Sequence, residues 1–86
     1  MMKIKVVSAA WCHACLLMKK RIKEFQKSHD IEFEFIDLDF ESEKCEGLEI
    51  GKVLPVYFMY QDDTFIKRFV GEKTVDELEK EIRNAI

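Results

Sequence analysis

At 86 residues, with 48% hydrophobic and 36% charged residues, the chain has the size and composition of one small globular domain. Its net charge of −3 is mild, and its longest uncharged runs are too short to span a bilayer. No signal peptide is recognisable at the N-terminus. We therefore expect a single domain over residues 1–86 in the cytoplasm, without membrane attachment.

Charge distribution and cysteine content argue against two further classes of protein. Residues 1–30 carry seven Lys or Arg and two acidic residues, whereas residues 31–50 carry eight acidic residues and one Lys. No compact basic patch with interleaved aromatic residues appears, so nucleic-acid binding is not expected. Three cysteines, an odd number, fit poorly with a secreted domain held by disulfides, and reduced or transiently oxidised thiols fit better.

The first 28 residues predict a strand followed by a helix. Lys3–Val7 alternates in polarity and is rich in β-branched residues, which is typical of a strand. After the small residues Ser8–Ala10, apolar side chains recur at spacings of three to five, with Lys and Arg between them, up to about Ser28. This pattern predicts a helix that begins at Cys12 or His13.

Two cysteines, Cys12 and Cys15, stand at this strand-to-helix junction. A Cys-x-x-Cys pair there predicts a dithiol redox centre, because residues three apart share one helix face and their sulfurs can close a small ring. The Cys12 sulfur would face unpaired backbone N–H groups and the positive end of the helix dipole, which favour a thiolate. We therefore expect Cys12 to attack a disulfide and Cys15 to resolve the product.

Other uses of the cysteine pair are alternatives. Half of a zinc or iron–sulfur site has the same spacing, but a second cysteine pair is absent, and Cys45 and His29 each stand alone in the sequence. Covalent haem is disfavoured because Leu16, and not His, follows Cys15. A cysteine pair that only packs in the core is the remaining alternative.

The middle of the chain predicts a second strand and a short helix. Apolar and acidic residues alternate over Ile31–Phe40, with a change of phase at Phe35-Ile36 that indicates either a bulge or a strand centre buried on both faces. Together with the preceding strand and helix it forms a βαβ unit, which should be parallel and right-handed. Ser42–Ile50 then predicts a short helix with Ser42 as its N-cap.

The last third predicts a hairpin and a helix. Val53–Tyr60 is typical of a strand, with the single proline, Pro55, near its start, and Phe65–Val70 pairs back on it. Thr74–Glu77 has the pattern of a capping box. The apolar face of the following helix comprises Val75, Leu78 and Ile82, and Ile86 lies at its end. The order β-α-β-α-β-β-α predicts an α/β fold in which a four-stranded mixed sheet is flanked by three helices on its two faces.

In three features the chain resembles the thioredoxin-like superfamily. Trp11-Cys12-x-x-Cys15 ends the first strand, Pro55 opens the third, and Phe69-Val70-Gly71 precedes the C-terminal helix. The element order is similar to that of the minimal, glutaredoxin-sized core of the superfamily. The Trp before the first cysteine and the Val-Gly pair look more like thioredoxin.

The resemblance implies a thiol-disulfide oxidoreductase with a Cys12–Cys15 redox centre and no bound cofactor or metal. It implies that Trp11 is a surface residue beside the nucleophile that meets the partner. It also implies a cis Leu54–Pro55 bond, with the Leu54 backbone free to pair with an extended substrate. The expected partners are disulfide-containing proteins and a reductant, either a thioredoxin-reductase-type enzyme or a low-molecular-weight thiol, and the protein is expected to be a monomer.

Some residues depart from the pattern of the family. His13 lies between the cysteines and is expected to tune the Cys12 thiolate through its cationic form, but a His in oxidising relatives usually occupies the next position. Val6 stands where many thioredoxins have a buried Asp that assists proton transfer from the second cysteine. Cys45 is expected to be a small, semi-buried apolar residue, with a regulatory thiol as the alternative.

Two other functions are alternatives to disulfide reduction. One is a protein-binding module on the same scaffold, switched by the redox state of the cysteines. The other is a glutathione-coupled glutaredoxin, although no glutathione-binding signature of that family is evident in the sequence.

Overall fold

The structure, a computed structural model, describes residues 2–85. The four strands are β1 (Met2–Ser8), β2 (Glu32–Asp37), β3 (Val56–Gln61) and β4 (Thr64–Val70). The two α-helices are α1 (His13–Gln26) and α2 (Val75–Arg83), and a four-residue 3-10 helix, Ser42–Cys45, lies between β2 and β3.

The strands form one mixed sheet in the order β2-β1-β3-β4. Strands β1 and β2 are parallel, whereas β3 is antiparallel to both β1 and β4. The predicted mixed sheet is therefore confirmed, and the fold is α/β. This topology brings the carboxyl ends of β1 and β2, the start of β3 and the end of β4 together at one end of the strands. Below, "the edge of the sheet" means this end of the strands and not an outer strand.

Both α-helices cover one face of the sheet. Side chains alternate between the faces of a strand, so Ile4 and Val6 of β1 point to the same side as Tyr57 and Met59 of β3. Apolar positions of α1 at helical spacing pack onto that side. The helical residues of this cluster are Met18, Ile22 and Phe25 from α1 and Leu78 and Ile82 from α2. The larger part of the core therefore lies between the sheet and the two helices.

The opposite face carries a smaller cluster beneath the 3-10 helix. Its buried members are Val7, Ile36, Cys45, Val56 and Phe58. Phe35 packs against the first cluster while Ile36 belongs to the second, and the pairing of β1 with β2 runs without a shift of register. The change of phase at Phe35-Ile36 therefore marks a strand covered on both faces, and it does not mark a bulge.

The prediction of three helices is wrong, because the segment Ser42–Ile50 contains only the 3-10 helix Ser42–Cys45. Gly47 has a φ of +81°, in the left-handed region, which a continuing helix does not allow. Strand β2 ends at Asp37 and does not reach Phe40, because Asp37 Oδ1 accepts hydrogen bonds from the backbone N–H groups of Asp39 (2.9 Å) and Phe40 (3.0 Å) and forms a turn.

One further boundary and the exposure of one residue differ from the prediction. Strand β3 begins at Val56, after Pro55, and not at Val53. Pro55 has no N–H to donate to a neighbouring strand, which accounts for this start. Val75 is 37% exposed, whereas Leu78 and Ile82 of the same predicted face are buried. Val75 is the first residue of α2, directly after the Thr74 cap, and lies at the margin of the contact with α1. Ile86 lies outside the described residues.

Candidate active site

Cys12 is the N-cap of α1, and its sulfur lies at the N-terminal end of this helix. Its backbone is extended (φ −90°, ψ 111°), and its carbonyl oxygen accepts the first helical hydrogen bond from the Leu16 N–H at 3.2 Å. The Cys12 sulfur accepts a hydrogen bond from the Cys15 N–H, also at 3.2 Å. A thiolate accepts such a bond more strongly than a thiol does, so this geometry suits an ionised nucleophile.

Cys15 lies one turn into α1 and is buried, with 5% of its surface exposed. Burial, and to a smaller extent a hydrogen bond with the Cys12 side chain, raises the pKa of the Cys15 thiol to about 12, while a hydrogen bond with the Ala9 backbone acts in the opposite direction. The two thiols therefore interact directly but have different surroundings. Cys12 is partly accessible to solvent, and Cys15 is held as a neutral thiol.

The Leu54–Pro55 peptide bond is cis, the geometry that the family resemblance implies. Pro55 is buried at the start of β3, on the edge of the sheet where β1 ends, and its carbonyl oxygen accepts a hydrogen bond from the Gly71 N–H at 2.9 Å. No hydrogen bond within residues 2–85 engages the backbone N–H or carbonyl of Leu54. Both backbone groups of Leu54 are therefore without a hydrogen-bond partner in this part of the chain.

Tyr57 and Gly71 hold this edge of the site together. The Tyr57 hydroxyl donates a 3.0 Å hydrogen bond to the carbonyl oxygen of Gly71, and the Tyr57 ring stacks on Phe69 with centroids 4.5 Å apart. Burial raises the pKa of the Tyr57 hydroxyl well above its usual range, and a negative charge on Cys15 when that thiol ionises acts in the same direction. Gly71 has a φ of +91°, which favours glycine at the position following β4.

Trp11 is 69% exposed, in the loop that joins β1 to α1. Its indole Nε1 donates a 2.8 Å hydrogen bond to Oδ2 of Asp39, in the turn that follows β2. Sequence reasoning missed this partner. The available signal was the parallel pairing of the two strands, because the residues that follow parallel neighbours meet at one edge of the sheet.

The other residues singled out in the sequence, His13, Val6 and Cys45, lie in three different environments. His13 is the first residue of α1 and is exposed. Val6 is buried in the main core cluster, so no ionisable side chain occupies that position. Cys45 lies in the 3-10 helix on the opposite face of the sheet and is buried against apolar neighbours, where burial raises the pKa of its thiol. Among the described residues, no three His, Cys, Asp or Glu side chains are grouped so that they could hold a metal ion.

Comparison with known proteins agrees with this geometry. The family model described as Thioredoxin matches residues 3–84, nearly the whole chain. The chain therefore belongs to the thioredoxin family, and its CxxC pair is Cys12 and Cys15. No curated protein matches the sequence. Between residues 2 and 85, no helix has the length and apolar character needed to cross a membrane.

Several solved structures are similar to this fold at low sequence identity. A malarial protein is 20% identical, with a TM-score of 0.86 over 100% of this chain and 98% of that one. A mutant thioredoxin of Halobacterium salinarum NRC-1 is 18% identical, with a TM-score of 0.86 over 98% of this chain and 74% of that one. Oxidised mitochondrial thioredoxin 3 from Saccharomyces cerevisiae is 24% identical, with a TM-score of 0.80 over 96% and 77% of the two chains.

Proposed function

We propose that this protein is a dithiol–disulfide oxidoreductase that reduces or exchanges disulfides of other proteins. The observation that carries the proposal is the asymmetry of the cysteine pair. The partly accessible Cys12 sulfur accepts a hydrogen bond from the Cys15 N–H at the start of α1, while Cys15 is buried beneath it. An accessible nucleophile next to a protected second thiol suits a two-step exchange, because the second thiol is shielded until the first step has occurred.

In the first step the Cys12 thiolate attacks one sulfur of the substrate disulfide. A Cys12–substrate disulfide forms, and the other substrate sulfur leaves as a thiolate. In the second step Cys15 loses its proton and its sulfur attacks Cys12. The Cys12–Cys15 disulfide forms, and the second substrate sulfur leaves reduced. Two electrons thus pass from the two cysteines to the substrate.

The substrate chain would bind across the edge of the sheet that carries the cysteines. The free N–H and carbonyl groups of Leu54 can pair with an extended segment by strand addition. Exposed apolar side chains at the same edge supply contact area around that backbone. They are Trp11 after β1, Phe40 after β2 and Val53 before β3. Main-chain pairing with few side-chain contacts would accept many different sequences.

The reaction needs a reductant that restores the dithiol after each cycle. A thioredoxin-reductase-type enzyme or a low-molecular-weight thiol has the required chemistry, since either can attack the Cys12–Cys15 disulfide. We further propose that the chain acts as a single-domain monomer in the cytoplasm, where such reductants keep thiols reduced.

The proposal is tested by insulin reduction with dithiothreitol as the electron source. Cys12→Ser should reduce the rate to the uncatalysed level. Cys15→Ser should retain the first step and accumulate mixed disulfides that mass spectrometry detects. Cys45→Ser is the matched control, since this buried thiol lies on the opposite face of the sheet, and its rate should equal that of the wild type. Full activity in Cys12→Ser would show that the assignment is wrong.

The electron donor is tested separately with two coupled assays. One contains thioredoxin reductase and NADPH, and the other contains glutathione, glutathione reductase and NADPH. Turnover only in the first assay is expected for a thioredoxin-type reductant, and turnover only in the second would identify a glutathione-coupled enzyme. A single stoichiometric exchange without turnover in either assay would favour the redox-switched binding module.

A further inference from the structure

A small cavity connects the buried Cys15 with the end of β2. Its volume is about 170 Å³, and Cys15, Ser8, Lys19 and Asp37 are among the residues that line it. Asp37 pairs with Ser8 in the register of β1 with β2, which places its carboxylate at the same edge of the sheet as the cysteines. Polar and apolar residues both line the cavity, and its volume has room for water molecules that could bridge the thiol and the carboxylate.

The second step of the proposed reaction needs a proton acceptor near Cys15. The burial that protects this thiol also makes it a poor source of thiolate at neutral pH. The side chain of Val6, on the preceding strand, cannot take a proton. A lysine ammonium offers only donors and a hydroxyl is a very weak base, so Lys19 and Ser8 are poor proton acceptors. Among the residues lining the cavity, only Asp37 carries a carboxylate, whose oxygens can accept a hydrogen bond and take up a proton.

We propose that the Asp37 carboxylate accepts the proton of Cys15 through water in this cavity during resolution of the mixed disulfide. This inference rests on the function proposed above. It assigns to Asp37 a role in proton transfer that acts through water and without contact with the substrate.

The hydrogen bonds of Asp37 suit this role. Its Oδ1 accepts from the backbone N–H groups of Asp39 and Phe40, which fix the orientation of the carboxylate. No donor within the described part of the chain bonds to its Oδ2. One oxygen is therefore committed to the turn, and the other remains available for a water molecule.

The titratable groups around the pathway come from α1 with its N-cap, from the segment that follows β2, and from β3. Lys19 of α1 lines the cavity, with its Nζ 5.6 Å from the centroid of the Phe35 ring. Glu41 accepts a hydrogen bond from the Asp37 N–H, and Asp39 bonds Trp11. Cys12 hydrogen-bonds with Cys15, and Tyr57 interacts with it electrostatically. Among these groups, only Asp37 combines a carboxylate with a place on the cavity wall.

Loss of the Cys15 proton accompanies formation of the Cys12–Cys15 disulfide. The Cys15 S–H bond breaks, the proton passes through water to an Asp37 oxygen, and the sulfur keeps the electron pair. That pair forms the new bond to the Cys12 sulfur, while the Cys12–substrate bond breaks and its electrons leave with the substrate thiolate. Asp37 then returns the proton to water.

The test uses 5,5′-dithiobis(2-nitrobenzoate), which gives two optical phases in stopped flow. The first release of thionitrobenzoate reports attack by Cys12, and the second reports resolution by Cys15. Asp37→Asn is the informative variant because its side-chain oxygen can still accept the two turn hydrogen bonds. Glu41→Gln is the matched control, since it removes one nearby carboxylate that does not line the cavity and keeps the acceptor for the Asp37 N–H.

We expect the second phase of Asp37→Asn at pH 7 to be at least about tenfold slower than that of the wild type, with the first phase changed much less. Whether the second phase becomes slower or faster distinguishes a proton acceptor from a fixed negative charge. If Asp37 acted only as a negative charge, its removal would favour the Cys15 thiolate and make the second phase faster. The wild-type second phase should also change little between pH 6 and 8, whereas that of Asp37→Asn should rise by nearly tenfold per pH unit.

An unchanged or faster second phase in Asp37→Asn would overturn the inference, as would an equal slowing in Glu41→Gln. A wild-type second phase that rises in proportion to hydroxide from pH 6 to 8 would overturn it without reference to any variant. These outcomes are distinct from failure of the proposed function, because in that case the wild type would show no second phase that Cys15→Ser abolishes.

Discussion

The indole N–H of Trp11 donates a 2.8 Å hydrogen bond to Oδ2 of Asp39 across the edge of the sheet. The two residues are 28 positions apart in the chain, and the parallel pairing of β1 with β2 brings their loops together. The bond holds a ring that is 69% exposed in one orientation next to Cys12. An ordered exposed aromatic is a favourable contact for a partner, because less side-chain entropy is lost on binding.

Asp39→Ala should free the Trp11 ring and weaken substrate binding more than catalysis. We expect KM for insulin to rise about two- to fivefold with little change in kcat, since one charge-assisted but exposed hydrogen bond contributes about 1 kcal/mol. Trp11 is the only tryptophan, so its fluorescence anisotropy should fall in the variant. Asp39→Asn keeps the acceptor and should behave like the wild type, and equal KM values for Asp39→Ala and the wild type would contradict the prediction.

His13→Ala should make the cysteine couple more reducing. A cationic imidazole at the start of α1 stabilises the Cys12 thiolate of the reduced form, which raises the reduction potential. We expect the potential to fall by more than about 10 mV, which corresponds to roughly half a kcal/mol for two electrons.

The potentials would be measured by equilibration with glutathione buffers and thiol trapping. The control is His29→Ala, which removes the other histidine of the chain. That ring stacks on Phe25 beyond the far end of α1, with centroids 3.9 Å apart, so its loss should leave the potential unchanged. Equal potentials for His13→Ala and the wild type would remove the proposed effect.

Tyr57→Phe should destabilise the fold by about 1–2 kcal/mol, because it removes the donor to the Gly71 carbonyl oxygen in a partly buried position. Its ring contact with Phe69 is retained. The free energy of unfolding is measured by urea denaturation. Tyr60→Phe is the matched control, since no described hydrogen bond engages the Tyr60 hydroxyl, and it should change stability by less than about 0.5 kcal/mol. Equal losses in the two variants would contradict this assignment.

Glu81→Gln should reduce the loss of stability in acid. Hydrogen bonding with Lys67 at 2.6 Å lowers the pKa of the Glu81 carboxyl, and Lys73 at 3.3 Å acts in the same direction. A group whose pKa is lower in the folded state is protonated first in the unfolded chain. Its stabilisation is therefore present above about pH 4.5 and is lost as the pH falls through the folded-state pKa.

The measurement is the free energy of unfolding in urea at pH 7 and pH 3. We expect the decrease between these values to be about 0.5–1 kcal/mol smaller in Glu81→Gln than in the wild type. Glu24→Gln is the control, because Glu24 pairs with Lys27 in an exposed position and such pairs contribute little. The same pH dependence in all three proteins would contradict the role of Glu81.

The element order and type followed from residue patterns, because the alternation of strands and the 3.6-residue spacing of helices are local properties. Helix α1 was predicted to start at Cys12 or His13 and starts at His13, and the capping box at Thr74 is present. The failures are local too. The residue pattern of Ser42–Ile50 predicts a helix, but the left-handed backbone of Gly47 prevents a helix from continuing through this segment. The turn at Asp37 ends β2 before Phe40.

The sequence alone determined which atoms are available for chemistry: a Cys-x-x-Cys pair at a helix start, one proline before a strand and a Val in place of an ionisable residue. Only the tertiary structure decided what surrounds them. The bond between Trp11 and Asp39, the contact of Tyr57 with Gly71 and the cavity shared by Cys15 and Asp37 all join residues from different elements. Each of these contacts joins residues that are far apart in the chain, so it depends on how whole strands and helices pack together and cannot be read from a local pattern.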